Sequence, residues 1–117
     1  MGAFQDLKVW HRAKDLAVYI YNLTGQGSFS KDFSLRDQIR RAAVSIPSNI
    51  AEGDDLGSAK QAIRHFFIAK GSAAEVLTQA IIALEIGYID EKSYEHIENE
   101  RSAISGMLTR LIRARSD

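Results

Sequence analysis

The side chains able to do acid–base, nucleophilic or metal chemistry are few and scattered. His11, His65 and His96 fall on three different helical segments, and no two have the spacing of a helical metal site. A metal centre built among helices usually shows Glu-x-x-His pairs, and the residues three before these histidines are Lys8, Ala62 and Ser93. With no cysteine in the chain, thiolate catalysis, disulfides and cysteine-based zinc sites fall away together. Neither Gly-x-Ser-x-Gly nor Gly-x4-Gly-Lys-Ser/Thr occurs, so nothing marks an activated serine or a phosphate cradle. The expectation is a protein that is not an enzyme, with no metal, no cofactor and no evident small-molecule substrate.

What remains is binding chemistry, and it has two candidate sources. The first is polar. Asn49 and Glu52 lie three apart and so share one side of a helix. With Glu75 they flank two runs of small residues, Ala42-Ala43 through Ala51 and Gly71-Ser72-Ala73-Ala74, and Arg40 and Arg41 precede them. Such a group is either a carboxylate pocket for a ligand or partner, or a network in which Glu52 or Glu75 pairs with Arg40 or Arg41. The network is the favoured reading, because single polar residues in helical seams commonly fix register and partner choice. The second source is positive charge: Arg36, Arg40 and Arg41, then Lys60 and Arg64, then Arg101, Arg110, Arg113 and Arg115. Residues 101–115 contain no acid, whereas the charged residues of 90–100 are mostly acidic, five acids to one lysine. A helix dipole favours that same order, so the polarity has a purely helical explanation beside the functional one. Repeated around a symmetric ring, these patches could hold phosphates cooperatively.

The elements that must position these groups are helices, since no strand-like alternation of useful length, hairpin signal or internal repeat occurs. A first helix is expected over about 6–23, where Leu7, Val9, Trp10, Ala13, Leu16, Ala17, Ile20 and Leu23 form a broad apolar face before Gly25 and Gly27. A second begins at Ser34, with Asp37 completing a partial capping box, and ends in Gly53-Asp54-Asp55-Leu56-Gly57. Its apolar phase, Leu35, Ile39, Ala42, Ala43, Ile46 and Ile50, passes unbroken through Pro47, the chain's one proline. That proline deletes the bond to the Ala43 carbonyl, a cost of about 3 kcal/mol in a helix interior. The helix is therefore expected to continue but to kink there.

A third helix runs from Ser58 as N-cap, with Gln61 in the reciprocal position, to about Glu85, a length of roughly 40 Å. Its stripe is Ile63, Phe66, Ala73, Leu77, Ala80 and Leu84, broadened by Ala62, Phe67, Ala69 and Ile81. Gly71 in its middle costs roughly 1 kcal/mol relative to alanine, which points to close approach of another backbone along Gly71-Ser72-Ala73-Ala74, with the run Ala42-Ala43 through Ala51 as the expected neighbour. Gly87 closes it, and Asp90 caps a fourth helix that carries Tyr94, Ile97, Ile104, Leu108 and Leu111 to about Ala114. Short connections favour antiparallel neighbours. The expected architecture is all-α: an up-down antiparallel four-helix bundle with a Pro-kinked second helix, one domain over residues 1–117. Trp10, Tyr19, Tyr21 and Phe29 are left as candidates for subunit or partner contacts.

Composition sets the bounds. The 117 residues are 45% apolar and 26% charged, values of a soluble globular domain. No unbroken apolar run reaches the roughly 18 residues a bilayer crossing needs, and no signal-peptide pattern opens the chain. Asp6 stands where a myristoylation motif needs Ser or Thr. A cytoplasmic location without a membrane partner is expected. Fifteen basic and fifteen acidic residues cancel, so a polyanionic partner would have to be held by local clustering.

Four stretches together resemble a known family. They are Phe4-Gln5-Asp6-Leu7-Lys8-Val9-Trp10 with Ala13; Leu35 to Gly53, including Arg40-Arg41-Ala42-Ala43-Val44-Ser45-Ile46-Pro47-Ser48-Asn49-Ile50-Ala51-Glu52-Gly53; Ile68 to Glu75 with Thr78-Gln79; and Gly87-Tyr88-Ile89. They resemble the bacterial proteins encoded within intervening sequences of 23S ribosomal RNA genes, also called the S23 ribosomal protein family. The resemblance implies an up-down bundle that assembles with copies of itself into a closed homo-oligomer, a toroidal pentamer, with no enzymatic activity assigned. From where such genes lie, association with RNA, DNA or a ribonucleoprotein is the implied role; a protein-interaction scaffold is the alternative. Pro47, Asn49, Glu52, Gly53, Gly71, Ser72 and Glu75 would then serve structure and assembly. The chain departs from the usual pattern at Gly57, Gln61, Ala62 and His65, which implies different local packing at the start of the third helix.

Overall fold

The structure, a computed structural model, describes residues 4–55 and 58–116. Leu56 and Gly57, expected to complete the stop of the second helix, lie outside the described residues. Four long helices account for most of the chain: α1 (Lys8–Thr24), α2 (Phe33–Asp55), α3 (Ala59–Glu85) and α4 (Glu91–Arg115). Short 3-10 turns at Phe4–Asp6 and Gly27–Lys31 lead into α1 and α2. No strand occurs among the described residues. Each helix packs on the next and α1 also packs on α4, with α2 against α3 the most extensive pair. The molecule measures 46 × 20 × 20 Å, so its long axis is set by the 27 residues of α3.

Side-chain and backbone chemistry at the ends explains the boundaries. Ser58 Oγ accepts the Gln61 N–H at 3.2 Å and Asp90 Oδ1 accepts the Ser93 N–H at 2.8 Å, so α3 and α4 start where the capping signals place them. The Ser93 N–H also holds the Asp90 carboxyl below its ordinary pKa. Helix α2 differs from expectation: its cap is Asp32, whose Oδ1 accepts the Leu35 N–H at 3.1 Å. Ser34 lies inside the first turn and accepts instead from Gln38 Nε2. A carboxylate suits the positive end of the helix dipole better than a hydroxyl, which is why Asp32 takes the role. At the other end of α3, Gly87 has φ +86, and the N–H groups of Tyr88 and Gly87 close on the Ala83 and Leu84 carbonyls at 2.8 and 3.1 Å, a glycine-terminated reversal.

The core runs along the inner side of α3. Ala62, Phe66, Ala69, Ala73, Val76, Ala80 and Ala83 are all buried, again alternating steps of four and three. This corrects half of the expected stripe: Phe66, Ala73 and Ala80 belong to it, but Ile63, Leu77 and Leu84 flank it half-buried, and Phe67 and Ile81 face outward. Small side chains take the centre line because α2 packs directly over it with Ile39, Ala42, Ala43, Ile46 and Ile50, all buried. Larger residues then fit only at the sides. Pro47 is also buried, and α2 is helical on both sides of it.

Two glycines differ from expectation, although Ser72 and Ala73 beside Gly71 are buried as the small-residue run suggested. Gly53 is the close-contact position: a Cβ there would meet Phe66 Cε1 at 2.8 Å and the Ala62 carbonyl oxygen at 3.2 Å. Gly71, expected to admit a neighbouring backbone within the chain, is exposed, and a Cβ there would meet nothing within 4 Å. Phe29 is a second correction. Its ring is 1% exposed and packs 5.2 Å from the Tyr88 ring, so it is core rather than a partner contact. Trp10 and Tyr19 are half-buried against the core, while Tyr21 remains 45% exposed.

By length and composition α3 does reach what a bilayer crossing requires, with a mean hydropathy of 1.4 over an 18-residue stretch. Lys70 and Glu75 interrupt its apolar residues, so no unbroken apolar run showed in the sequence. Its inner line is packed against α2 and α4, but only 33% of that stretch is buried, so the core accounts for part of its apolar composition and the outward side carries the rest.

Candidate functional site

The group around Asn49 sits in the groove between α2 and α3. Ser45, Asn49 and Glu52 face Ser72 and His65 across it. Ser72 Oγ donates to Ser45 Oγ at 2.8 Å, and Asn49 Nδ2 donates to the Ser45 carbonyl at 2.9 Å and to Ser45 Oγ at 3.0 Å. Because the Asn49 amide nitrogen is committed to Ser45, its Oδ1 is left as acceptor, and His65 Nδ1 reaches it at 2.9 Å. His65 therefore carries its proton on Nδ1 in this arrangement. Glu52 Oε2 lies 3.4 Å from the same nitrogen. Glu52 thus lies beside His65, which Asn49 also bonds, and not beside Arg40 or Arg41 as the sequence suggested. Spacing within one helix could not reveal a contact made by crossing to the next.

Glu75 lies further along the same groove, beyond Ser45 and Ser72. It lines a depression of about 260 Å³ with Gln38, Arg41, Ala42, Ser45, Ser72 and Gln79, and among the described residues neither Glu75 nor Arg41 forms an ion pair. Gln79 Oε1 is buried there without a hydrogen-bond partner. The histidines do not gather: His11 is bonded to the Gln5 carbonyl, His65 is in the α2–α3 groove, and His96 lies 4.3 Å from the Tyr19 ring. No cluster of His, Asp and Glu suited to a metal occurs among the described residues.

The basic residues divide into engaged and free. Arg115 Nη2 bonds Asp54 Oδ1 at 3.0 Å, with the Asp54 side chain 7% exposed, and its guanidinium lies 5.2 Å from the Phe66 ring centre. That pair ties the end of α4 to the end of α2, beside the Gly53–Phe66 contact. Arg101 is half-buried, with its Nε enclosed and unpartnered. Lys60, Arg64, Arg110 and Arg113 are exposed at the end of the molecule where α3 begins and α4 finishes. Arg110 and Lys8 border an apolar groove of about 410 Å³ lined by Leu7, Val9, Met107, Leu111 and Ala114.

The first basic group is held against aromatic rings, a relation not expected from the sequence. Arg40 Nε donates to Thr24 Oγ1 at 2.8 Å and its Nη2 to the Tyr21 carbonyl at 3.1 Å, placing the guanidinium 4.5 Å from the Tyr21 ring centre. Arg36 donates to the Ser30 carbonyl and to Asp37 Oδ1 and lies 4.7 Å from the Phe33 ring centre. Arg41 is exposed beside them. The i, i+3 spacing of Phe33 and Arg36 was available as a signal; the Tyr21–Arg40 pair, between α1 and α2, was not.

The outer side of α3 carries five of the nine exposed large apolar side chains among the described residues. Phe67, Ile68, Ile82 and Ile86 are 56, 42, 45 and 53% exposed, and the exposed Gly71 and Ala74 lie between them on the same side. Exposed apolar side chains gathered on one side of a helix mark a candidate interaction surface.

These features define an all-α protein of four packed helices with a hydrogen-bonded α2–α3 seam, an exposed apolar helix face and aromatic-backed arginines. Residues 5–110 match the family model of the 23S rRNA-intervening sequence protein, and the chain belongs to that family. It is similar to the crystal structure of a protein of unknown function from the S23 ribosomal protein family of Bacteroides thetaiotaomicron, with a TM-score of 0.82 and 28% identity. That likeness covers 89% of this chain and 97% of the other. A search among curated proteins returns no match. The family is of unknown function, and no enzymatic family is indicated.

Proposed function

We propose that the protein is a non-enzymatic, cytoplasmic binding protein that assembles with copies of itself into a closed ring and associates with nucleic acid. The chain fold of this reading is an up-down antiparallel bundle with α2 bent at Pro47. It is supported by pairs whose numbers rise on one helix as they fall on the other: Asn49 with His65 and Ser45 with Ser72, and Arg12 with Glu100 and Tyr19 with His96.

The observation that carries assembly is the outer face of α3. A Cβ at Gly71 would meet nothing within 4 Å, so no close packing inside the chain offsets its propensity cost. A second copy packing at Gly71 and Ala74, with Phe67, Ile68, Ile82 and Ile86 around them, supplies the missing reason. Light scattering and native mass measure this directly: a closed oligomer is expected, a pentamer in the family's image, and a monomer at micromolar concentration overturns it. Gly71→Leu adds bulk in open space and is expected to break assembly while leaving helix content intact.

Nucleic-acid association is supported by the exposed Lys60, Arg64, Arg110 and Arg113 at one end and by Arg36, Arg40 and Arg41 beside Tyr21 and Phe33. Titration with structured RNA and duplex DNA at rising salt is the test. Affinity falling steeply with salt is expected for phosphate contacts. Salt-insensitive or absent binding favours instead a protein-interaction scaffold, the reading that the apolar α3 face supports by itself.

A further inference from the structure

We propose that the surface formed by Tyr21, Phe33, Arg36, Arg40 and Arg41 binds unpaired bases of single-stranded nucleic acid by stacking; this rests on the nucleic-acid reading above and narrows it. The two rings are 45% and 64% exposed, as Phe67 is on α3, whereas Phe29 and Phe66 are buried in the core. Neither ring is left bare: each carries a guanidinium plane at 4.5 or 4.7 Å. Aromatic rings and arginine planes are the two surfaces on which splayed bases stack.

The arginines are fixed in advance of any ligand. Arg40 is held by a hydroxyl and a carbonyl, on Thr24 and Tyr21, and those neutral partners leave its charge uncompensated. Arg36 shares its charge with Asp37, so Arg40 and the exposed Arg41 provide the net attraction for the backbone. Holding these side chains in place lowers the ordering cost of binding. Tyr21, Asp37, Arg40, Arg41 and Val44 border an open depression of about 330 Å³, which gives a strand room beside the Tyr21–Arg40 pair. Arg36 and Arg40 are one turn apart on α2 and so offer successive stacking positions.

Duplex does not suit this surface. A double helix keeps its base faces inside the stack and presents only edges and phosphates. Here the Arg36 and Arg40 forks are engaged by protein acceptors, so what those two residues and their rings offer is flat faces, which unpaired bases can use and a duplex cannot.

The test is fluorescence anisotropy with a labelled single strand of mixed sequence, as RNA and as DNA, against the same strand annealed to its complement. The single strand is expected to bind about tenfold more tightly than the duplex, and Tyr21→Ala and Phe33→Ala each to weaken single-strand binding by about tenfold while duplex binding stays unchanged. Tyr21→Phe keeps the ring and is expected to keep the affinity; circular dichroism melts confirm that each variant is folded. Equal or tighter duplex binding, or single-strand binding indifferent to both alanine variants, overturns the stacking site while leaving nucleic-acid association standing. Absence of binding to either form at low salt removes both.

Discussion

The same substitution, glycine to alanine, is expected to act in opposite directions at two positions of this chain. At Gly53 the new methyl would stand 2.8 Å from Phe66 Cε1, 3.1 Å from Cδ1 and 3.2 Å from the Ala62 carbonyl oxygen. The Phe66 ring cannot retreat cheaply, because the residue is 0% exposed in the core and Arg115 lies over its ring. Overpacking of this kind costs about 1–3 kcal/mol. The gain in helix propensity offsets less than about 1 kcal/mol of that, since Gly53 stands in the last turn of α2, which ends at Asp55. Gly53→Ala is therefore expected to destabilise by about 1–2 kcal/mol. At Gly71 the methyl meets nothing within 4 Å, so Gly71→Ala is expected to stabilise the isolated chain by about 0.5–1 kcal/mol through backbone entropy alone.

Urea and thermal melts on both variants read this difference, with roughly 4 °C in Tm for each kcal/mol in a chain of this size. The melts belong at dilutions where light scattering shows a monomer, because assembly adds its own concentration-dependent stability. A Gly53→Ala protein as stable as the parent would refute the close Phe66 contact. A Gly71→Ala monomer less stable than the parent would refute the open surface on which the assembly argument rests.

Four further outcomes follow from the same contacts. Arg12 grips Glu100 with two bonds of 3.1 and 2.8 Å and holds its carboxyl below the ordinary 4.5; this stability is present above that value and lost as the pH falls through the depressed one. Melts from about pH 6 to pH 3 should therefore show a smaller acid loss in Glu100→Gln than in the parent, with the pair worth at most about 1 kcal/mol because Arg12 is partly exposed. Phe29→Ala should cost about 3–5 kcal/mol in a denaturant melt, since it empties a fully buried ring site beneath Tyr88. His65→Ala removes the donor to Asn49 Oδ1 and should cost about 1 kcal/mol by the same measurement. Glu75→Ala should leave the monomer melt within about 0.5 kcal/mol of the parent, because Glu75 has no ion pair among the described residues, so any change it makes should appear in native mass.

The helices were legible because their signals are local. Ser58 with Gln61, and Asp90 ahead of the Tyr94 and Ile97 stripe, are decided within one turn, and α3 and α4 begin where those residues say. The seam of α3 was only half legible, because Ile63, Phe66, Ala73, Leu77, Ala80 and Leu84 and the true line of Ala62, Phe66, Ala69, Ala73, Val76, Ala80 and Ala83 share a period and differ by a small rotation. Hydrophobicity ranks isoleucine and leucine above alanine and so selects the wrong flank; close packing of α2 selects the smaller side chains. The glycines failed for a related reason. A helical glycine announces a missing side chain but not which neighbour occupies the space, and only the Phe66 position shows that Gly53 needs to be small for this chain's own sake.

That distinction between residues explained within the chain and residues left over bears on function. Pro47, Asn49, Glu52, Gly53 and Ser72 are each accounted for inside one molecule, by burial or by contacts across the α2–α3 groove. Gly71, Glu75, Phe67, Ile68, Ile82 and Ile86 are not, and all six lie on the outward side of α3. A sequence keeps a mid-helix glycine between exposed isoleucines at a cost to the monomer, and a compensating contact on that side is the physical reason that fits all six. Tyr21 and Phe33 with their arginines form the second unexplained set, on the α1–α2 side. A ring assembled through α3 would carry one such surface per copy, and where several are accessible to one strand avidity would multiply a contact that is weak in one chain.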